Sequence, residues 1–289
     1  MKKIATIIKG PAFHMVGDGF RVKNYIAPGS ALSKKTSPYL LLDYLPEQIQ
    51  PPTTNEKRGV GPHPHRGFET VSLSFAGSVV HKDSAGNGGV IGPGDVQWMT
   101  AGSGILHSEY HEKEFARKGG PMHFMQIWVN LPKSHKMHPP RYQALTASQM
   151  GRAVLPDNSG EVSVIAGSYQ GAKGPAKTFT PINLFNIRMK SGGHAEFSFP
   201  AAENTALMVL SGDVTINSQK VKAHDLVLFA NGGEKIEVKA ETEAQLVLLN
   251  GESIDEPMVA YGPFVMNTEE EIMQAVNDYR GGKFGHLED

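Results

Sequence analysis

"TVSLSFAGSVV", residues 70–80, is an apolar strand that runs into a glycine turn and leaves it as a second strand. The same plan returns in "TALMVLSGDVTI", residues 205–216, and "PGDVQWMTAGSG" (93–104) resembles "AHDLVLFANGG" (223–233). A pattern that repeats itself at this distance points to two structural units of one design. Working outward, "YLLLDYL", "MQIWVNL", "VSVIAG", "INLFNIRM", "KIEVK" and "QLVLLN" are further short strand candidates. Thirty-two glycines and 19 prolines supply the turns between them. The reading is all-β, two tandem domains of sandwich or barrel type. The one convincing helix is "NTEEEIMQAVNDYRGG", where Thr268 and Glu271 form a capping box. Ile272, Val276 and Tyr279 make its apolar stripe and Gly281 ends it. The predicted boundaries are 1–137 for the first domain, a Pro-, Gly-, Ser- and Lys-rich connection over 138–180, and 181–289 for the second. The closing helix is expected to pack back on the first domain.

Bulk properties narrow the function. A chain of 289 residues, 39% apolar with formal net charge −1, carries no basic field for a phosphate backbone, so direct nucleic-acid binding is not expected. No stretch approaches the ~18 apolar residues of a membrane span, and the apolar part of "MKKIATIIKG" is too short for a signal peptide. A soluble, cytoplasmic protein is the expectation. There is no cysteine, so any metal must be held by nitrogen and oxygen.

Two short stretches offer such donors. "GPHPHRGFET" (61–70) sets His63 and His65 at i and i+2, which share one face of a strand. If that strand continued unbroken, Glu69, Val71, Leu73 and Phe75 would lie on the same face, unless Gly67 resets the register. "GILHSEY" (104–110) repeats the spacing with His107 and Glu109, in phase with Ile105. Two such pairs on neighbouring strands would converge inside a barrel as three imidazoles and a carboxylate. That set suits Fe, Mn, Ni, Cu or Zn and leaves positions open for water or substrate. Glu69, His111 and His123 are rival donors, while His81, His135 and His138 read as solvated or connecting positions. Aligning the repeats puts Ser198 and Pro200 opposite His63 and His65, and Glu237 and Lys239 opposite His107 and Glu109. The second domain has therefore lost the donors. Near the site, Arg66 is expected to pair with Asp95 or Glu69, Asp95 to serve a turn, and Gln97 to bond backbone. Phe68, Trp98, Met99, Phe124 and Met125 either line an aromatic-accepting pocket or form plain core.

"HPHRGFETV" and "PGDVQWMTAGSGILHSE" closely resemble the pirin family of bicupins, as do "SPYLLLDYL", "MQIWVNLP" and "EPMVAYGPFVMNTEEEI". The likeness is strongest over 37–131 and 256–285 and weakest over 145–240. It implies two tandem cupin (jelly-roll) domains and one metal, usually iron, in the first. It places the four ligands on His63, His65, His107 and Glu109; Glu69 stands at the glutamate of the general cupin motif, which pirin-like proteins do not use. It also implies a quercetin 2,3-dioxygenase-type activity, cleaving a flavonol with dioxygen and releasing carbon monoxide, with Glu109 deprotonating the flavonol 3-hydroxyl. The alternative it carries is a non-enzymatic, metal-dependent regulator that binds a partner protein.

Overall fold

A computed structural model describes residues 1–55 and 57–288. It shows two β-sandwiches of one design. In the first, a seven-stranded sheet runs in the order Arg141–Leu145, Val96–Thr100, Phe68–Ala76, Gly120–Asn130, Tyr39–Gln50, Phe20–Ile26, Phe13–Val16. Facing it is a four-stranded sheet ordered Gly59–His65, Ile105–His111, Val79–Asp83, Gly88–Ile91. The second sandwich repeats the scheme. Its large sheet runs Ile4–Ile8, Leu226–Phe229, Asn204–Ser211, Ala244–Gly251, Ile182–Met189, Gly160–Ala166, Gly151–Val154. Its small sheet runs His194–Ser198, Lys235–Ala240, Val214–Ile216, Gln219–Val221. The two glycine turns aligned in the sequence do correspond. Gly77 and Gly212 each follow a central strand at φ 82° and 81°, and a Cβ on Gly212 would sit 2.2 Å from the Glu243 carbonyl oxygen.

The compact units divide the chain differently from the boundaries read in the sequence. One comprises Met1–Pro11, Lys35–Pro38 and Ser148–Ser253; the other comprises Ala12–Lys34, Tyr39–Ala147 and Ile254–Asp289. The reason is strand exchange at the sheet edges. Ile4–Ile8 pairs antiparallel with Leu226–Phe229, taking the place that Arg141–Leu145 takes beside Val96–Thr100 in the other sandwich. The stretch read as a connection, 138–180, also carries strands: Arg141–Leu145 edges the first sandwich, and Gly151–Val154 and Gly160–Ala166 belong to the second.

The second sandwich is filled with apolar side chains. Ala195 and Phe197 of one small-sheet strand and Ile236, Val238 and Ala240 of its neighbour are all buried in a single core. Those neighbouring strands occupy the places that Gly59–His65 and Ile105–His111 hold in the first sandwich, where the imidazoles stand.

The C-terminal helix spans Glu269–Arg280, capped by Thr268 in a capping box with Glu271 and ended at Gly281. Its buried residues are Ile272, Ala275 and Asp278; of the predicted stripe, Val276 packs half-buried on the same cluster and Tyr279 lies against the rings of Phe264 and Phe284. Asp278 turns inward because Arg66 waits there as its partner at 2.9 Å, and Tyr279 stays 42% exposed. The helix belongs to the same unit as the first sandwich, where Ile272 and Ala275 pack with Phe264, Met266 and Phe284.

Candidate metal centre

The strand Gly59–His65 lies antiparallel to Ile105–His111 with His63 opposite His107 and His65 opposite Ile105. This register stacks three imidazoles. The ring centroids are 4.2 Å apart for His63 and His107, and 4.8 Å for each of the other two pairs. One nitrogen from each of the three rings lies within 4.8 Å of the others. His107 is fully buried, His65 is 4% exposed and His63 is half-buried.

Each ring has its Nδ1 already engaged. His63 Nδ1 donates to the Gly61 carbonyl at 2.8 Å, His65 Nδ1 to the Pro263 carbonyl at 3.4 Å, and His107 Nδ1 shares a 3.1 Å bond with His81 Nε2. Nε2 is thereby left over on every ring, and that of His107 is buried with no hydrogen-bond partner among the described residues. Burial, reinforced by the neighbouring imidazoles, holds His65 and His107 well below the usual histidine range. Rings gathered this closely, each with Nδ1 tied to oxygen or nitrogen and Nε2 left over, are the arrangement of metal ligands. The donor set fits a borderline transition cation.

Glu109, the fourth predicted donor, stands beside this trio without joining it. Its buried carboxylate accepts from Gln126 Nε2 at 3.0 and 3.2 Å and from Ser72 Oγ at 3.3 Å. Burial raises its pKa, against the opposing pull of His63 and of these hydrogen bonds. It borders a cavity of about 460 Å³, its open mouth included. Val16, Phe20, Val22, Leu45 and Phe124 give that cavity its apolar walls.

Several expectations are corrected. Gly67 does reset the register: at φ 88° it separates the strands ending at His65 and beginning at Phe68. Ser72 rather than Leu73 then faces the carboxylate, and Glu69 turns to Thr100 at 2.7 Å and Arg141 at 3.6 Å. Arg66 pairs with Asp278 and donates to the Ser103 carbonyl, reaching neither Asp95 nor Glu69. Asp95 serves the turn, accepting from Gly92 N and Ala147 N. His111 bonds the Gly19 carbonyl and His123 the Tyr44 hydroxyl, so neither rival joins the cluster. Of the five candidate lining residues, Phe124 and Met125 border the cavity; Phe68 stacks on Trp128 and Met99 packs with Ala101 and Ile105. Gln97 is buried with neither amide atom bonded, contrary to the backbone bond expected of it.

The largest miss is His81. Read as solvated, it is fully buried, bonded to His107 and stacked on Tyr142 at 5.2 Å and 11°. Burial lowers its pKa to about 3. The signal was present in "SVVHKD", since Val79, His81 and Asp83 alternate with the exposed Lys82 and so share the inward face.

The chain is similar to known proteins over nearly its whole length. Residues 19–129 match the family model described as Pirin, and 184–285 the one described as Pirin C-terminal cupin domain. A Pseudomonas aeruginosa protein named "Putative quercetin 2,3-dioxygenase" is 45% identical over 98% of this chain and 99% of its own. Human Pirin is 38% identical over 93% of this chain and 89% of its own. The crystal structure titled quercetin 2,3-dioxygenase from Acinetobacter baumannii superposes with a TM-score of 0.95 at 43% identity, covering 100% of both chains.

Proposed function

The chain belongs to the pirin family, and from that premise we propose that it is a metal-dependent dioxygenase that opens a flavonol such as quercetin with dioxygen and releases carbon monoxide. The observation that carries this reading is the convergence of three free imidazole nitrogens beside a buried carboxylate at the wall of an apolar cavity. His63, His65 and His107 would hold one cation, iron first among Fe, Mn, Ni, Cu and Zn, with Glu109 adding an oxygen donor. Bound there, the cation supplies Lewis acidity and a meeting place for dioxygen.

The remaining work falls to the chain's own groups. Glu109, its affinity for protons raised by burial, accepts the proton of the substrate hydroxyl when its carboxylate is turned from the cation onto Gln126 and Ser72. Gln126 and Ser72 fix the direction from which that carboxylate approaches. The apolar walls hold the ring system and keep water from the reacting carbon. No helix among the described residues is long and apolar enough to cross a membrane.

The test is loss of flavonol absorbance under air by protein loaded with each candidate metal. Turnover is expected in the wild type, and His63→Ala and Glu109→Ala should each lower it by at least a hundredfold. Activity surviving in both variants overturns this assignment of the site. A wild type inactive with every metal would favour the partner-binding regulator instead.

A further inference from the structure

A row of polar side chains crosses the large sheet of the first sandwich inside an otherwise apolar barrel. Asn24 stands opposite Asp43, Asp43 opposite Gln126, Gln126 opposite Ser72, and Ser72 opposite Gln97. Directly paired residues of antiparallel strands share a face, so all five project to the same side, one step of ~4.8 Å per strand. The contacts confirm it: Asn24 Nδ2 donates to Asp43 Oδ1 at 2.8 Å, and Gln126 Nε2 to Ser72 Oγ at 3.4 Å and to Glu109.

A buried polar row costs stability unless its groups are satisfied. Here the Gln97 amide is buried without a partner among the described residues, while Asp43 and the half-buried Gln126 keep an acceptor oxygen open at the cavity wall. Asp43 is 9% exposed, and its Oδ2 has no hydrogen-bond partner among the described residues. The same holds for Gln126 Oε1. At the far end Gln97, 1% exposed, has neither amide atom bonded. Asp43, Gln126, Ser72 and Glu109 all border the one cavity. Its free polar atoms are therefore mostly acceptors, and no lysine or arginine lines it. Such a wall repels carboxylates and phosphates and complements O–H donors. Burial pushes the Asp43 carboxyl up, which weakens it as a counter-ion for a cation and suits it to a neutral hydroxyl.

We propose that this row recognises a flat, neutral, apolar ligand by hydroxyl groups along one edge, and that Asp43 determines specificity by accepting the hydroxyl that lies beyond Gln126. The substrate class is thus a polyhydroxylated aromatic in preference to a singly hydroxylated or anionic one. This deepens the dioxygenase reading and rests on it for the orientation that brings the reacting hydroxyl to Glu109.

Equilibrium binding tests it without turnover. Tryptophan quenching of metal-loaded protein is titrated with quercetin and with the flavonol whose outer phenyl ring lacks hydroxyls. Wild type is expected to prefer quercetin about tenfold, the worth of one hydrogen bond to a charged or nearly charged group. Asp43→Leu should bind both alike, and Asp43→Asn, which keeps the shape, should prefer quercetin about threefold at most. If Asp43→Leu does not fold, Asp43→Asn carries the comparison. Full preference in a folded Asp43 variant, or none in the wild type, overturns the proposal. Wild type that discriminates in binding but consumes no flavonol supports the row and overturns the dioxygenase reading. Wild type that consumes both flavonols with equal KM does the reverse.

Discussion

The chemistry of the centre turns on which nitrogen of each imidazole carries its proton. Gly61 and Pro263 supply carbonyl oxygens that hold the proton on Nδ1 of His63 and His65. His107 has no carbonyl for this and uses His81 instead. For Nε2 of His107 to be a bare lone pair, Nδ1 must donate to His81 Nε2, so His81 must carry its own proton on Nδ1. Losing that acceptor leaves His107 free to take the wrong tautomer or to rotate. His81→Phe, which keeps the stack on Tyr142, is expected to lower metal affinity by about 10- to 100-fold. Competition against a chelator of known affinity measures this, and unchanged affinity would show that His81 only fills space. The clustering of the three imidazoles was legible because i, i+2 spacing on a strand is a strict geometric rule, although the same rule did not bring Glu109 into the cluster. For His81 the alternation in "SVVHKD" carries the inward direction alone, and its bond to His107 depends on a strand 26 residues away.

At the scale of elements, the turn after the ligand pair is bound to segments distant in sequence. Lys136, 2% exposed, donates its three protons to the Gly67 carbonyl, the Val265 carbonyl and Asn130 Oδ1 at 2.8–2.9 Å. It thereby joins the turn behind His65, the end of the Gly120–Asn130 strand and the strand Phe264–Met266. Nothing in "LPKSHKMHPP" distinguishes this lysine from Lys133, because its acceptors come from three different parts of the chain. The Arg66–Asp278 pair escaped the sequence for the same reason, the two residues lying 212 apart. Lys136→Met leaves three buried acceptors unpaired and should cost about 3 kcal/mol in urea unfolding. A pH signature separates this from simple packing loss. Burial lowers the Lys136 pKa to about 7. Between there and the unfolded value of ~10.4 the unfolded chain binds more protons, so wild-type stability gains a rising contribution with pH across that window. In Lys136→Met that contribution is absent. Equal pH slopes for the two proteins between 7 and 10 would contradict the burial effect.

For the whole molecule, one barrel design serves two ends. The repeat was readable because a glycine at positive φ must follow each central strand, which keeps "SLSFAG" and "LMVLSG" alike. The exchange of the edge strand was not, because the five residues Ile4–Ile8 have the same strand character whichever sheet they pair with. Where the first barrel offers imidazoles, the second fills the corresponding strands with Phe197, Ile236 and Val238, and among the described residues no histidine or carboxylate belongs to that core. Metal should therefore bind at one per chain, and its binding energy should stabilise the first sandwich alone. At a free concentration 100 times Kd the gain is about 2.7 kcal/mol. Hydrogen exchange with and without metal locates it: slower exchange is expected in the strands Gly59–His65 and Ile105–His111, where the ligands sit. The strands His194–Ser198 and Lys235–Ala240 should exchange at unchanged rates. Two metals per chain, or protection spread equally over both small sheets, would show that the second barrel has kept a donor set that its apolar filling argues it has lost.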